Sequence, residues 1–482
     1  MKRCYIWMLA AVLLCGPVVS CNKDNPAPEP PVNPQPIPPF TPDEGKYLRT
    51  LDSDESKSYV TILYTGMGSD GTLKEMSELI CYPDLSDDKK PANLGIGCHI
   101  TITSDAQRPS NYRNLSAMTD VFVFSKLLVP TGTLVVMPDY EGYGSTGASP
   151  HPYLQRDVTA RQVIAGAMAA LQWLQQEKGK TMADGWKSVA FGYSQGGAVA
   201  ASVLRYYQEN RLDGLNLSAA ACGDGPYDPM ATLKQYIDDN KLYMPVSPAL
   251  VLKGFVDCNA EMKQLGCTYA DFMTEGFIQT GIFDELARKE KDTDAIHSMF
   301  LQCSREGTGQ FTMTVYNKVT ETFLPYNAEN TLLYPDDSDW ELGNSSAKSY
   351  CTADQCFKAG VIAYFRDGTV EGDVPEAKLK ALKSALENNS LTSGGWQPSQ
   401  NVHPSFSFFH SAYDEVVPIA NYEKVKESWG IERIKGYRFT PNNQTNGTHL
   451  NTGMYYVLMG PSSYIKKMFD GSETAGEQIV TD

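Results

Sequence analysis

The chain has no excess of positive charge: 41 Lys and Arg stand against 57 Asp and Glu, a formal net charge of −16. With no basic stripe to neutralise phosphates, nucleic acid is excluded as a partner. There is no C-x-x-C pair, so neither a zinc site nor a thioredoxin-like redox site is expected. The apolar run Tyr5 to Leu14 is too short to span a membrane as a stable helix. Histidine is scarce, with six in the whole chain, so any general base must come from a short roster.

What is present is a 482-residue chain, 42% hydrophobic and 20% charged, ample for a large core. Lys2 and Arg3 precede the apolar run, and Val18-Val19-Ser20 closes it before Cys21. That pattern resembles a bacterial lipoprotein signal over 1–20, which implies lipidation of Cys21. The expectation is an exported protein held on the outer membrane through Cys21, acting as a monomer. Residues 21–45 read NKDNPAPEPPVNPQPIPPFTP at their centre, a Pro-rich linker that stays extended. Of 11 cysteines, Cys4, Cys15 and Cys21 belong to the export signal. The eight that remain permit disulfides, with Cys258 and Cys267, and Cys351 and Cys356, close enough in sequence for local loops.

Beyond the linker, Ser58–Thr65 and Glu78–Tyr82 read as a hairpin, and 91–102 and 133–137 as buried strands. Val163, Ile164, Ala167, Leu171 and Leu174 recur at helical spacing. Alternating strands and helices argue for an α/β fold, a mostly parallel sheet covered by helices on both faces. The rhythm stops at Asp224 and resumes only at Pro404-Ser405-Phe406. The expected organisation is therefore a core of 46–225 and 401–482 interrupted by a mainly helical cap of 226–400, including a helical stretch over 269–289.

Within the core, Lys187–Leu204 reads KSVAFGYSQGGAVAASVL, a strand that breaks into a helix across Gly192-Tyr193-Ser194-Gln195-Gly196. This is the G-x-S-x-G spacing of a nucleophile elbow, where a serine in strained backbone needs very small neighbours. A serine hydroxyl is a poor nucleophile and needs a base, itself oriented by an acid. On such a sheet these follow in the order Ser, Asp or Glu, His. Among the six histidines, His449 alone lies well downstream of a strand-terminal carboxylate, Asp414 in HSAYDEVVP, and Asp224 is the second candidate acid. Glu415, one residue on, is expected to face away, and His449 to sit in a loop before an apolar helix. The oxyanion donors are expected to be the main-chain N–H of Gln195 and that of Ile100 or Thr101. His99, Asp139 and His151 read as structural.

FGYSQGG, PDYEGYG followed by SPHPYL, the SAYDEVVP turn and the late Gly-Thr-His together resemble the α/β-hydrolase superfamily, and within it the microbial secretory lipase family. The likeness runs from about Tyr59 to the C-terminus. It implies lipase or carboxylesterase activity, a helical lid before the strand carrying the acid, and no metal or organic cofactor. Similar proteins often carry His-Gly-Thr where this chain has His99-Ile100-Thr101, so Ile100 is expected to narrow the acyl pocket. The function expected is ester hydrolysis on a small-molecule or lipid ester through Ser194, His449 and Asp414. An exopeptidase, a carbohydrate esterase and an inactive lipid-anchored binding protein are the alternatives on the same scaffold.

Overall fold

The computed structural model describes residues 39–481 apart from 87, 117–118, 308–310, 343–347 and 461. The export signal, Cys21 and most of the Pro-rich linker lie outside the described residues. Among the described residues fourteen strands follow in chain order. The first seven are β1 (Tyr47–Asp54), β2 (Tyr59–Met67), β3 (Leu73–Cys81), β4 (Asn93–Cys98), β5 (Thr133–Pro138), β6 (Ser188–Tyr193) and β7 (Leu217–Gly223). Next come β8 (Thr314–Asn317), β9 (Thr322–Pro325), β10 (Trp340–Glu341) and β11 (Ser349–Tyr350). The last three are β12 (Phe406–Ser411), β13 (Lys435–Phe439) and β14 (Gly476–Val480).

Ten of these strands form one sheet in the order β1-β2-β3-β5-β4-β6-β7-β12-β13-β14. The pairs from β1 to β5 are antiparallel, and every pair from β5/β4 to β13/β14 is parallel. The parallel strands read as apolar runs because both faces are covered. In β5, Leu134 and Val136 pack into one core while Val135 and Met137 pack into the other. The first core lies under α2 (Arg156–Lys178, following α1, Asp120–Leu128) and α3 (Gln195–Glu209), together with the helix Ala420–Trp429. The second lies under α1 and the helices His449–Met459 and Tyr464–Asp470. Strands β1, β13 and β14 and helix α1 carry no pattern strong enough to be read from sequence; β1 and β14, for instance, are largely exposed edge strands.

Between β7 and β12 the chain leaves the sheet. It opens with α4 (Pro229–Asp239) and α5 (Val246–Cys258), continues through further short helices, and has an apolar cluster of its own that includes Phe255, Phe277, Phe300 and Leu382. Strands β8 to β11 form a separate four-stranded antiparallel sheet here, which the helical expectation for this region did not include. Strands of two to four residues are too short to show a period of two. The helical stretch expected over 269–289 is three helices, Tyr269–Phe272, Glu275–Gln279 and Ile282–Arg288. Thr274 caps the second by accepting the Phe277 N–H, and Gly281 starts the third at φ 78°.

The insertion is stitched to the core. Lys289 Nζ donates to the carbonyls of Gly142, Gly147 and Ser149 at 2.5–2.8 Å. Thr103 and Ser104 donate to the carbonyls of Lys291 and Glu290. Cys258, Cys267, Cys351 and Cys356 carry free thiols, so the Cys258–Cys267 and Cys351–Cys356 bridges that sequence spacing allows are not formed here, although Cys351 Sγ lies 3.2 Å from Cys356 Sγ.

Candidate active site

The elbow is built by steric exclusion. Ser194 sits between β6 and α3 at φ 56°, ψ −124°, a backbone conformation that L-residues rarely adopt. A Cβ at Gly192 would lie 2.6 Å from the Gly196 carbonyl carbon and 2.4 Å from Cys98 O, and one at Gly196 would lie 2.1 Å from Cys98 O. Only hydrogen fits at either side of the serine. The Ser194 N–H donates to Gly223 O at 2.9 Å, tying the turn to the end of β7.

Three side chains converge on this turn from separate elements. His449 Nε2 lies 2.9 Å from Ser194 Oγ, and His449 Nδ1 lies 2.6 Å from Asp414 Oδ2. Asp414 follows β12, and its other oxygen accepts the Val416 and Val417 N–H groups at 2.9 and 2.7 Å, which fixes the carboxylate against its own turn. Asp224, the second candidate acid, is committed elsewhere: it accepts the Ser411 N–H at 2.7 Å and the Tyr193 hydroxyl at 2.8 Å. His449 is the first residue of the helix His449–Met459 and not part of a loop.

Burial pulls the His449 pKa down, but the charge and hydrogen bond of Asp414, with Asp224 and Glu415 behind, outweigh it and raise the imidazole to about 9. Burial and the Asp414 charge push Asp224 well above the ordinary carboxylate range. Asp224, His410 and Asp414 bring potential metal ligands within 4.8 Å of one another. Asp224 and Asp414 are engaged as above, and His410 Nε2 donates to Val417 O at 2.9 Å.

Around the serine, two expectations change. The Ile100 N–H donates to Asp120 Oδ2 at 2.9 Å and so is not open to an oxyanion. The cause is α1, whose first residue turns a buried carboxylate back on the loop after β4. Among the described residues the Thr101 N–H has no partner, and its hydroxyl meets the Tyr153 hydroxyl at 2.8 Å. The Gln195 N–H lies in the first turn of α3, where amides have no intrahelical acceptor. Glu415 does not face away: its Oε2 accepts the His449 N–H at 2.9 Å.

His99, Asp139 and His151 are buried supports. His151 Nδ1 donates to Glu141 O, which leaves Nε2 to accept from the Gln195 side-chain amide at 3.0 Å. His99 stacks on Tyr140 at 3.9 Å between ring centroids. Asp139 takes the Ser110 N–H and the hydroxyls of Ser110 and Ser77.

Ser194 and His449 open onto a cavity of about 460 Å³. It runs from the sheet edge into the insertion, past Tyr236 and Leu233 of α4 to Phe272, Phe357 and Leu386. Ile100, Leu450, Met454 and Leu458 line it and are themselves exposed, so the cavity reaches the surface through an apolar mouth.

No family model matches the chain, and no curated protein sequence matches it. Solved structures do. The rice cell wall degrading esterase LipA from Xanthomonas oryzae superposes with a TM-score of 0.60 at 17% identity, over 89% of this chain and 100% of that one. A putative hydrolase from Legionella pneumophila gives a TM-score of 0.53 at 16% identity, over 85% of this chain and 88% of that one. Candida antarctica lipase A gives 0.56 at 12% identity, over 91% and 85%. The strand order, the turn that carries Ser194 and these likenesses together establish that the chain has the α/β-hydrolase fold.

Proposed function

We propose that the chain is a serine hydrolase that cleaves carboxylic esters through an acyl-enzyme. The observation that carries this reading is the chain of contacts Ser194 Oγ, His449 Nε2, His449 Nδ1 and Asp414 Oδ2, at 2.9 and 2.6 Å, on the floor of an apolar cavity. Ser194 Oγ attacks the ester carbonyl while His449 Nε2 takes its proton. Asp414 holds the imidazole in the tautomer with hydrogen on Nδ1 and stabilises the imidazolium. The tetrahedral oxyanion is met by the N–H of Gln195 at the positive end of α3, and by that of Thr101. His449 then protonates the departing alcohol. Water, deprotonated by the same nitrogen, releases the acid.

The cavity favours an acyl group over a peptide. Its wall is made chiefly of Leu, Val, Met, Phe and Tyr, which offer an acyl chain a place out of water worth about 0.8 kcal/mol per buried CH₂. Attachment to a membrane through lipidated Cys21, with export, completes the proposal. Its support is the sequence pattern alone, and its test is whether Cys21→Ala moves the protein from the membrane to the soluble fraction.

The activity is tested with a chain-length series of nitrophenyl esters beside a peptidyl amide and an acetylated glycan. The expected result is ester hydrolysis that Ser194→Ala abolishes, with a fluorophosphonate labelling the parent chain at Ser194. Equal rates in the parent and Ser194→Ala would overturn the reading.

A further inference from the structure

Asp414 and Glu415 are consecutive acids, and both touch His449. Asp414 holds the ring by Nδ1 at 2.6 Å, and Glu415 Oε2 holds the backbone by accepting the His449 N–H at 2.9 Å. That amide opens the helix His449–Met459, where no carbonyl lies one turn back to receive it. Thr448, the residue at the cap position, makes no side-chain cap bond and donates its hydroxyl to Thr445 O instead. A carboxylate 34 residues upstream therefore does the capping, at the one residue of that helix whose placement decides whether Nε2 reaches Ser194. Glu415 Oε1 is buried and has no partner among the described residues, while Oε2 makes the capping bond.

We propose, resting on the hydrolase reading above, that Glu415 is a positioning residue for catalysis: it fixes the backbone of His449 while Asp414 fixes the ring, and its charge adds to the field on the imidazole. The groups that face Glu415 are Asp414 on its own turn, His449 on the helix, Tyr193 of β6, and Tyr236 and Tyr243 of the insertion. The three phenols are held neutral, burial and the neighbouring carboxylates raising each. Burial, then the Asp414 charge, raise Glu415 to about 8, so it gains its charge in the range where the base must be free. A negative Glu415 stabilises the imidazolium. Removing that charge makes His449 easier to deprotonate.

The test compares Glu415→Gln, which keeps an acceptor and loses the charge, with Glu415→Ala, which loses both. Two readouts are taken across pH: kcat and KM on a nitrophenyl ester, and the His449 titration by NMR of protein labelled with ¹⁵N-histidine. In Glu415→Ala kcat should fall on the order of 10- to 100-fold with KM little changed, the scale of misplacing a catalytic group. Glu415→Gln should recover most of that loss, while both its acid limb and its imidazole midpoint move to lower pH. An unchanged kcat in Glu415→Ala, or an imidazole midpoint in Glu415→Gln equal to the parent's, overturns the proposal. Failure of the hydrolase reading shows separately, as ester turnover insensitive to Ser194→Ala, because the imidazole titration needs no substrate.

Discussion

At the scale of single residues, the elbow is a set of prohibitions. Gly192 and Gly196 were legible from sequence because a strained serine demands small neighbours. Gly197 follows the same logic with a different partner: a Cβ there would lie 2.3 Å from Gly223 O, a backbone atom that cannot yield without moving β7. Gly197→Ala is therefore expected to destabilise the fold by roughly 1–3 kcal/mol, the cost of forcing a group into packed surroundings, read as a lower denaturation midpoint; an unchanged midpoint would show that β7 gives way. In the proposed reaction His449 supplies the pH dependence. Its imidazole must be neutral to accept the Ser194 proton, and it is raised to about 9, so kcat/KM should climb with pH well beyond the ordinary histidine value. Asp414→Asn should move that limb down and lower kcat by about 10⁴-fold, because the tautomer with Nδ1–H toward residue 414 is no longer favoured. Ser194, Asp414 and His449 could be picked out because order along the chain and a scarcity of histidine left few choices. The Asp120 contact to Ile100 could not be, since nothing in the spacing of residues 100 and 120 says that α1 folds back on that loop.

At the scale of elements, the insertion lines much of the cavity and in the proposed reaction is expected to set what the site admits. Leu382 and Leu386 lie one helical turn apart on the helix Glu376–Asn388 and both line the cavity. Leu382→Trp is expected to fill its inner end, so that hydrolysis of a long-chain nitrophenyl ester falls at least tenfold while a butyrate ester is barely affected; equal losses on both would place the acyl chain elsewhere. One cation contributes three of the bonds that seat the insertion on the core. Lys289 Nζ meets three carbonyls of the loop between β5 and α2. Lys289→Met keeps the stem and abandons those carbonyls, and should cost about 2–4 kcal/mol of stability given the price of buried acceptors left unpaired, measured by denaturant unfolding. The helical content of this region was visible as period, whereas the sheet β8–β11 was not, because its strands are too short to hold a pattern.

For the whole molecule, activity and stability should run in opposite directions with pH. The folded pKa of His449 is raised to about 9, so its contribution to stability is full below about 6.5 and is lost as pH rises toward 9. Glu415, raised to about 8, loses its contribution as pH climbs from its ordinary value toward 8. Burial raises Glu78 and Asp224 as well, with the same sign. The thermal midpoint is expected to fall between pH 6.5 and 8 while kcat/KM rises, and a midpoint that rises across that interval would contradict the linkage. The sequence by itself determined the α/β rhythm, the elbow and the order Ser194, Asp414, His449, because hydrophobic period, glycine sterics and chain order are local properties. Only the tertiary structure decided that Asp414 rather than Asp224 takes the ring, that Glu415 turns inward, that Asp120 claims the Ile100 N–H, and that the insertion encloses an apolar cavity. Each of those depends on which side chains separate elements bring within about 3 Å of one another, and residues from 20 to 255 positions apart meet here.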